Sequence, residues 1–165
     1  MLMSVMIFIT GGTFDKEYDE IRGELYFKDT HIREILDLGR SKLDVKIKNL
    51  MLIDSLDMQE EDRNVILEHC KSTNINQIVI THGTDTMTMT GEVLANANLK
   101  KTIVLTGAMI PYKFGSSDGL FNLGGALACA QTLPSGVYVA MNGQYFNYDE
   151  VEKNKHTGVF EKIVK

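Results

Sequence analysis

Residues 77–98, QIVITHGTDTMTMTGEVLANAN, decide the fold. They open on an apolar run, Gln77 to Ile80, that is continuous rather than alternating, the pattern of a strand buried on both faces. A polar turn comes next, Thr81-His82-Gly83-Thr84-Asp85, and then Met87 to Asn98 continue with helical periodicity. Strand, turn and helix in that order make a βα unit, with glycine supplying backbone freedom after the strand and Thr or Asp capping the helix.

The same alternation extends in both directions. Apolar runs recur at Val5 to Ile9, Val45 to Ile53, Thr102 to Leu105 and Gly136 to Met141, and helix-like stretches at Thr30 to Leu38, Gln59 to Lys71 and Ser117 to Gln131. This predicts an α/β protein whose open, mostly parallel sheet is covered by helices. With 165 residues, 44% of them hydrophobic, and without a repeat or a linker rich in Pro, Gly or Ser, residues 1–165 read as a single domain. Asp29 or Thr30 is placed to cap HIREILDL, Gly39 to stop it, and Asp57 to precede the acidic first turn of QEEDRNVIL. The charged segment Phe14 to Lys28 reads as a mobile loop or a small hairpin, and the VFEKIVK run near the end has no evident partner.

Composition excludes several function classes. A formal charge of −5 without a Lys/Arg cluster argues against nucleic acid as a partner. The start, MLMSVMIFIT, is far too short to span a membrane and has neither a basic leader nor a small-residue cleavage site, so a buried first strand in a cytoplasmic protein is expected. Cys70 and Cys129 lack CxxC spacing and read as reduced core residues.

The turn after each strand is chemically informative. These turns are Thr10-Gly11-Gly12-Thr13, Asp54-Ser55, Thr81-His82-Gly83-Thr84-Asp85, Thr106-Gly107-Ala108-Met109 and Asn142-Gly143. In open α/β sheets ligands bind outside the carboxyl ends of the strands, so the turns are expected to converge on one site. Any one of them is explained by backbone freedom and helix capping; the set points to function. A threonine hydroxyl needs a base or a cation before it can attack. Lys153 is a candidate base if burial depresses its pKa, with Asp85 beside Thr84 to hold it, although an isolated lysine is ordinarily a solvated one. Bare backbone N–H groups at Gly11, Gly12, Gly83 and Gly107 suit an oxyanion hole and equally a phosphate nest.

The ordered motifs Ile9-Thr10-Gly11-Gly12-Thr13, Ile80-Thr81-His82-Gly83-Thr84-Asp85-Thr86-Met87, Thr106-Gly107-Ala108-Met109-Ile110-Pro111, Asp118-Gly119-Leu120-Phe121-Asn122-Leu123 and Val139-Ala140-Met141-Asn142 resemble those of bacterial-type L-asparaginases. The resemblance implies a doubly wound, Rossmann-like or flavodoxin-like sheet with helices on both faces. It implies hydrolysis of the side-chain amide of L-asparagine, or a related small amino-acid amide, through an acyl-enzyme, with no metal or cofactor. It assigns Thr13 as the attacking hydroxyl on a flexible loop, and Thr84, Asp85 and Lys153 as a second constellation. Ser55 falls where the family binds the substrate's α-carboxylate and Asp85 where it binds the α-amino group; Ala108 is a further substrate-binding position. His82 is read as structural.

Three departures from the pattern stand out. Leu56 occupies a position where many members carry Gln or Ser, which implies an altered preference. The loop after Thr13 is shorter than usual, making Tyr18 the counterpart of the family's loop tyrosine, with Tyr26 as the other option. The family's smaller second domain has no counterpart in these 165 residues. The expectation is therefore a stand-alone first domain that forms a homo-oligomer, or that takes a partner chain to supply the missing domain. A non-catalytic amino-acid-binding domain and one subunit of a two-chain asparaginase are the alternatives. A nucleotide- or flavin-binding domain is disfavoured because neither GxxxxGK[ST] nor GxGxxG occurs, and a role in transfer-RNA amidation is disfavoured by the acidic balance.

Overall fold

The computed structural model describes residues 3–164. Its strands are β1 (Ser4–Gly11), β2 (Lys16–Asp19), β3 (Glu24–Phe27), β4 (Asp44–Ile53), β5 (Gln77–Thr81), β6 (Thr102–Thr106), β7 (Gly136–Met141), β8 (Gln144–Asn147), β9 (Val151–Lys153) and β10 (Phe160–Lys162). Its helices are α1 (Ile32–Leu38), α2 (Glu60–Ser72), α3 (Met87–Asn96) and α4 (Gly119–Thr132).

The main sheet runs β4-β1-β5-β6-β7-β8, parallel except for β8, which pairs antiparallel with β7. Two-residue periodicity splits each inner strand between two layers. Phe8, Ile80, Leu105 and Val139 pack with Ile66 and Cys70 of α2 and Leu94 of α3. Ile7, Ile9, Val79, Val104 and Ala140 pack with Ile32 and Ile35 of α1 and Leu123, Ala126 and Ala130 of α4. Burial on both faces is why these strands carry unbroken apolar runs, each large side chain contributing about 1.5–3 kcal/mol. The sheet is thus doubly wound with helices on both faces. The direction in which strands are added reverses at β1, with β4 laid down on one side of it and β5 on the other, and this opens the crevice at the carboxyl ends of β1 and β5.

Several local expectations are corrected. The Val45 to Ile53 run is an edge strand rather than a doubly buried one, and exposed Lys46 and Lys48 protect that edge. At α1 the cap position is His31; Thr30 still helps, its Oγ1 accepting the Ile32 N–H at 3.3 Å. Gly39 does stop α1, as expected, standing as its C-cap with helical backbone, and the left-handed residue is the next one, Arg40, φ 52°. Asp57 does not cap α2. Gln59 and Asp62 form a reciprocal capping box, with the Gln59 N–H donating to Asp62 Oδ2 at 2.8 Å.

The charged segment after Thr13 is the β2–β3 hairpin, pairing Lys16 with Phe27 through Asp19 with Glu24. Its root is not loose: Phe14 and Asp15 are fully buried. The partner of the VFEKIVK run is β9, which pairs with β10 in a second hairpin that sends Val151 and Phe160 into the core.

Candidate functional site

The three turns at the switch point interlock because two glycines allow it. Gly12 has φ 77°, and a Cβ there would lie 2.4 Å from the Gly83 nitrogen. A Cβ on Gly83 would in turn lie 2.4 Å from both Cβ and Oγ of Ser55. The Thr10–Thr13, Asp54–Asp57 and Thr81–Asp85 turns therefore approach one another more closely than any side chain on those glycines permits. Gly83→Ala is expected to cost about 1–3 kcal/mol of stability and to displace Ser55. A denaturant midpoint equal to that of the parent would contradict this packing.

Thr84 and Asp85 leave β5 and meet Lys153, the last residue of β9. Lys153 Nζ donates to Thr84 Oγ1 at 2.8 Å and to Asp85 Oδ1 at 2.9 Å. Thr84 is 6% exposed, whereas the Asp85 carboxylate is 42% exposed and open to a ligand. The arrangement holds the lysine nitrogen against a hydroxyl with a carboxylate to orient it, so a Lys153 that has given up one proton to solvent would accept the Thr84 hydroxyl proton across the same 2.8 Å contact.

Ser55 is buried, and its Oγ has no hydrogen-bond partner among the described residues. Its carbonyl is held by Thr86 Oγ1 at 2.8 Å, and Arg63 Nη2 donates to that same hydroxyl at 3.1 Å. An orphaned buried hydroxyl costs about 1–3 kcal/mol unless a ligand satisfies it. Beside it, Lys16 Nζ donates to Asp54 Oδ2 at 2.5 Å. Burial works to raise the Asp54 carboxyl, but the Lys16 hydrogen bond, the Leu56 N–H and the charges of Lys16 and Lys153 outweigh it and hold the carboxyl below its ordinary value. Leu56 itself is 69% exposed.

Thr13 opens a short 3₁₀ turn, Thr13–Asp15, and its hydroxyl makes no hydrogen bond among the described residues. The turn is anchored just behind it, where Asp15 Oδ1 accepts from Thr30 Oγ1 at 3.0 Å and from the His31 N–H at 3.1 Å. Lys153 reaches Thr84 and Asp85, not Thr13. Ala108 is buried in the turn after β6, which Asp118 fixes by accepting the N–H groups of Met109 and Ile110, each at 3.0 Å. Tyr18 is half exposed on the hairpin, and the Tyr26 hydroxyl donates to Glu17 Oε2 at 3.3 Å; neither bonds to another candidate residue.

His82 is completely buried between Gly83 O at 2.8 Å and Thr90 Oγ1 at 2.7 Å. A carbonyl can only accept, so Nδ1 carries the proton and Nε2 accepts from Thr90, a pairing that suits neutral imidazole. Burial, aided by the Arg63 charge and opposed by the Gly83 carbonyl, lowers its pKa to about 4. The unfolded chain takes up this proton first as pH falls. Stability is therefore lost between pH 6.5 and about 4, by about 3 kcal/mol from this group. Urea unfolding across that range should show the loss, and His82→Gln should flatten it.

A family model described as Asparaginase, N-terminal, matches residues 4–161. The chain belongs to the asparaginase family. It is 33% identical over 171 residues to a probable periplasmic L-asparaginase of Haemophilus influenzae, covering 96% of this chain and 48% of that protein. It is 30% identical over 173 residues to a glutamyl-tRNA(Gln) amidotransferase subunit of Methanococcus vannielii, covering 96% of this chain and 38% of the relative. The solved thermostable L-asparaginase of Thermococcus kodakarensis superposes with a TM-score of 0.87 at 29% identity, over 98% of this chain and 51% of that one. The chain thus spans about half the length of these relatives or less.

Within this asparaginase-family domain, sequence reasoning misses the parts that hold the site in place. Lys16 is hidden in a charged hairpin, and Asp54 reads only as a neighbour of Ser55. Asn122 is the less obvious omission. Its Nδ2 donates to Gly107 O at 2.9 Å and its Oδ1 accepts the Asn142 N–H at 3.1 Å. Asn142 Oδ1 in turn accepts the Phe160 N–H at 2.9 Å, and Phe160 pairs with Lys153. The Ala108 turn and the Lys153 strand are therefore tied through two asparagines, buried Asn122 and, beyond it, Asn142. The place of Asn122 in the Asp118 to Leu123 motif is the signal that could have found it.

Proposed function

We propose that this chain hydrolyses the side-chain amide of L-asparagine, or of a closely related small amino-acid amide, to the acid and ammonia. The observation that carries the reading is the Thr84–Asp85–Lys153 contact, at 2.8 and 2.9 Å, at the switch-point crevice of an asparaginase-family domain.

Thr13 is the nucleophile, its hydroxyl without a partner among the described residues and standing on an anchored turn. Its Oγ attacks the amide carbon and its proton passes to the Thr84–Lys153 pair; the pair returns that proton to the amide nitrogen as the tetrahedral intermediate collapses, so that ammonia leaves and an ester remains on Thr13. Water then cleaves the ester to the carboxylic acid. Asp85 takes the substrate's α-ammonium, Ser55 its α-carboxylate, and the Ala108 turn flanks the amide. A hydroxyl orphaned at Ser55 and a half-exposed carboxylate at Asp85 suit the two charges of a free amino acid. The loop tyrosine is Tyr18, which belongs to the hairpin that continues from the Thr13 turn.

Ammonia release from L-asparagine and L-glutamine by the purified protein tests this reading; a folded protein that binds L-aspartate but releases none from either would replace it with amino-acid binding. That second reading is favoured by exposed Leu56 and by the twofold greater length of the asparaginase relatives. It includes a chain that needs a partner to supply the second domain. A second copy of the chain closes the exposed side of Asp85, and an active species that is strictly monomeric by light scattering would remove that element. The reaction is placed in the cytoplasm, supported by two unpaired cysteines that pack with opposite layers of the core and so cannot bond to each other. Export of the intact protein in cell fractions would contradict this.

A further inference from the structure

Lys16 lies directly after the Thr13 turn, and its ammonium is 2.5 Å from Asp54, the residue before Ser55. Its side chain is 16% exposed and Asp54's is 30%, so the pair is largely sheltered from solvent where it joins the Thr13 turn to the Ser55 turn. Among the described residues its hydrogen bond goes to Asp54, while the Phe27 ring lies 5.6 Å from the same nitrogen, so an ammonium with three N–H donors keeps donors to spare. On the same turn Ser55 Oγ is buried without a partner among the described residues, and Leu56, whose side chain has no polar group to offer, points into solvent at 69% exposure. A single hydroxyl is a weak grip for a carboxylate; a partly desolvated ammonium beside it is a strong one.

We infer that Lys16 is a specificity-determining residue, whose ammonium, held by Asp54, binds the substrate's α-carboxylate together with Ser55. This rests on the proposed amide hydrolysis and names the group that selects a free α-amino acid over a simple amide. Because Lys16 is joined directly to the Thr13 turn, gripping the carboxylate also seats the Thr13 hydroxyl against the substrate.

The test compares L-asparagine with 3-aminopropanamide, which is asparagine without its α-carboxylate, in the parent protein and in Lys16→Gln and Lys16→Arg. The ratio of kcat/KM values, asparagine over 3-aminopropanamide, is expected to fall at least tenfold in Lys16→Gln and to be largely kept in Lys16→Arg. Equal losses on both substrates would show that Lys16 only holds the hairpin in place, and would overturn the inference. If the parent turns over neither substrate, the hydrolytic reading fails by itself, and calorimetry decides about Lys16. In that case L-aspartate binding should weaken at least tenfold in Lys16→Gln while β-alanine binding changes less; unchanged L-aspartate binding, or no binding by the parent, overturns the role of Lys16. Should Lys16→Gln fail to fold, Asp54→Asn frees the ammonium from its partner, and the same substrate ratio must shift for the inference to stand.

Discussion

Replacing Lys153 with methionine is expected to reduce ammonia release from L-asparagine by about 10²- to 10⁴-fold, the usual span for removing a positioned acid–base group. Methionine keeps an apolar stem of similar length, so the β9–β10 hairpin and its buried Val151 and Phe160 should persist. The substitution removes both contacts of Nζ, at 2.8 Å to Thr84 and 2.9 Å to Asp85. Because Asp85 is 42% exposed, water replaces the lost ion pair and stability changes little. Asp85, released from its lysine, is then at least as available to an α-ammonium, so the loss should appear in kcat with KM equal or lower. Steady-state kinetics beside a thermal melt checks both halves, and undiminished kcat would remove Lys153 from the chemistry.

Thr13→Ala is expected to lower turnover by about 10³-fold or more, because no second group can take over a covalent step. The fold should survive. Thr13 is only half-buried and its hydroxyl has no partner among the described residues, so the stability change should stay within about 0.5 kcal/mol. Asp15 and Phe14 still anchor the turn, and L-aspartate binding by calorimetry should be retained. Thr84→Val separates the two hydroxyls: it should lower turnover while still allowing a slowly formed ester on Thr13, visible by mass spectrometry after quenching. Full activity in Thr13→Ala, or an ester on Thr84 in the parent, would reassign the nucleophile.

Much of the scaffold is readable from the sequence. The inner strands β1, β5, β6 and β7 are buried on both faces, so they have to be apolar at successive positions, and that run length is visible in sequence. The edge strand β4 breaks the rule because one side of it lacks a neighbour, a fact of strand order rather than of composition. Helix ends are less legible. Gln59 and Asp62 compete with Asp57 for the same cap, and Arg40 rather than Gly39 takes the left-handed position, since backbone angles at a terminus depend on where the next element must go.

At the site, local order in the chain determined which residue types stand at the ends of the strands: Thr13, Ser55, Thr84, Asp85 and Ala108 all come after a strand by short, glycine-bearing or polar turns. That much is a property of the sequence by itself, because a parallel sheet sends every such turn to one edge. Only the tertiary structure decided which of them touch. Lys153 lies 68 residues from Asp85 and 69 from Thr84, and Lys16 lies 38 from Asp54. These contacts depend on strand order, on the β9–β10 hairpin and on the fit of Gly12 against Gly83, and hydrophobic periodicity carries no information about any of the three, because it records how deeply a residue is buried and not which distant residue it meets.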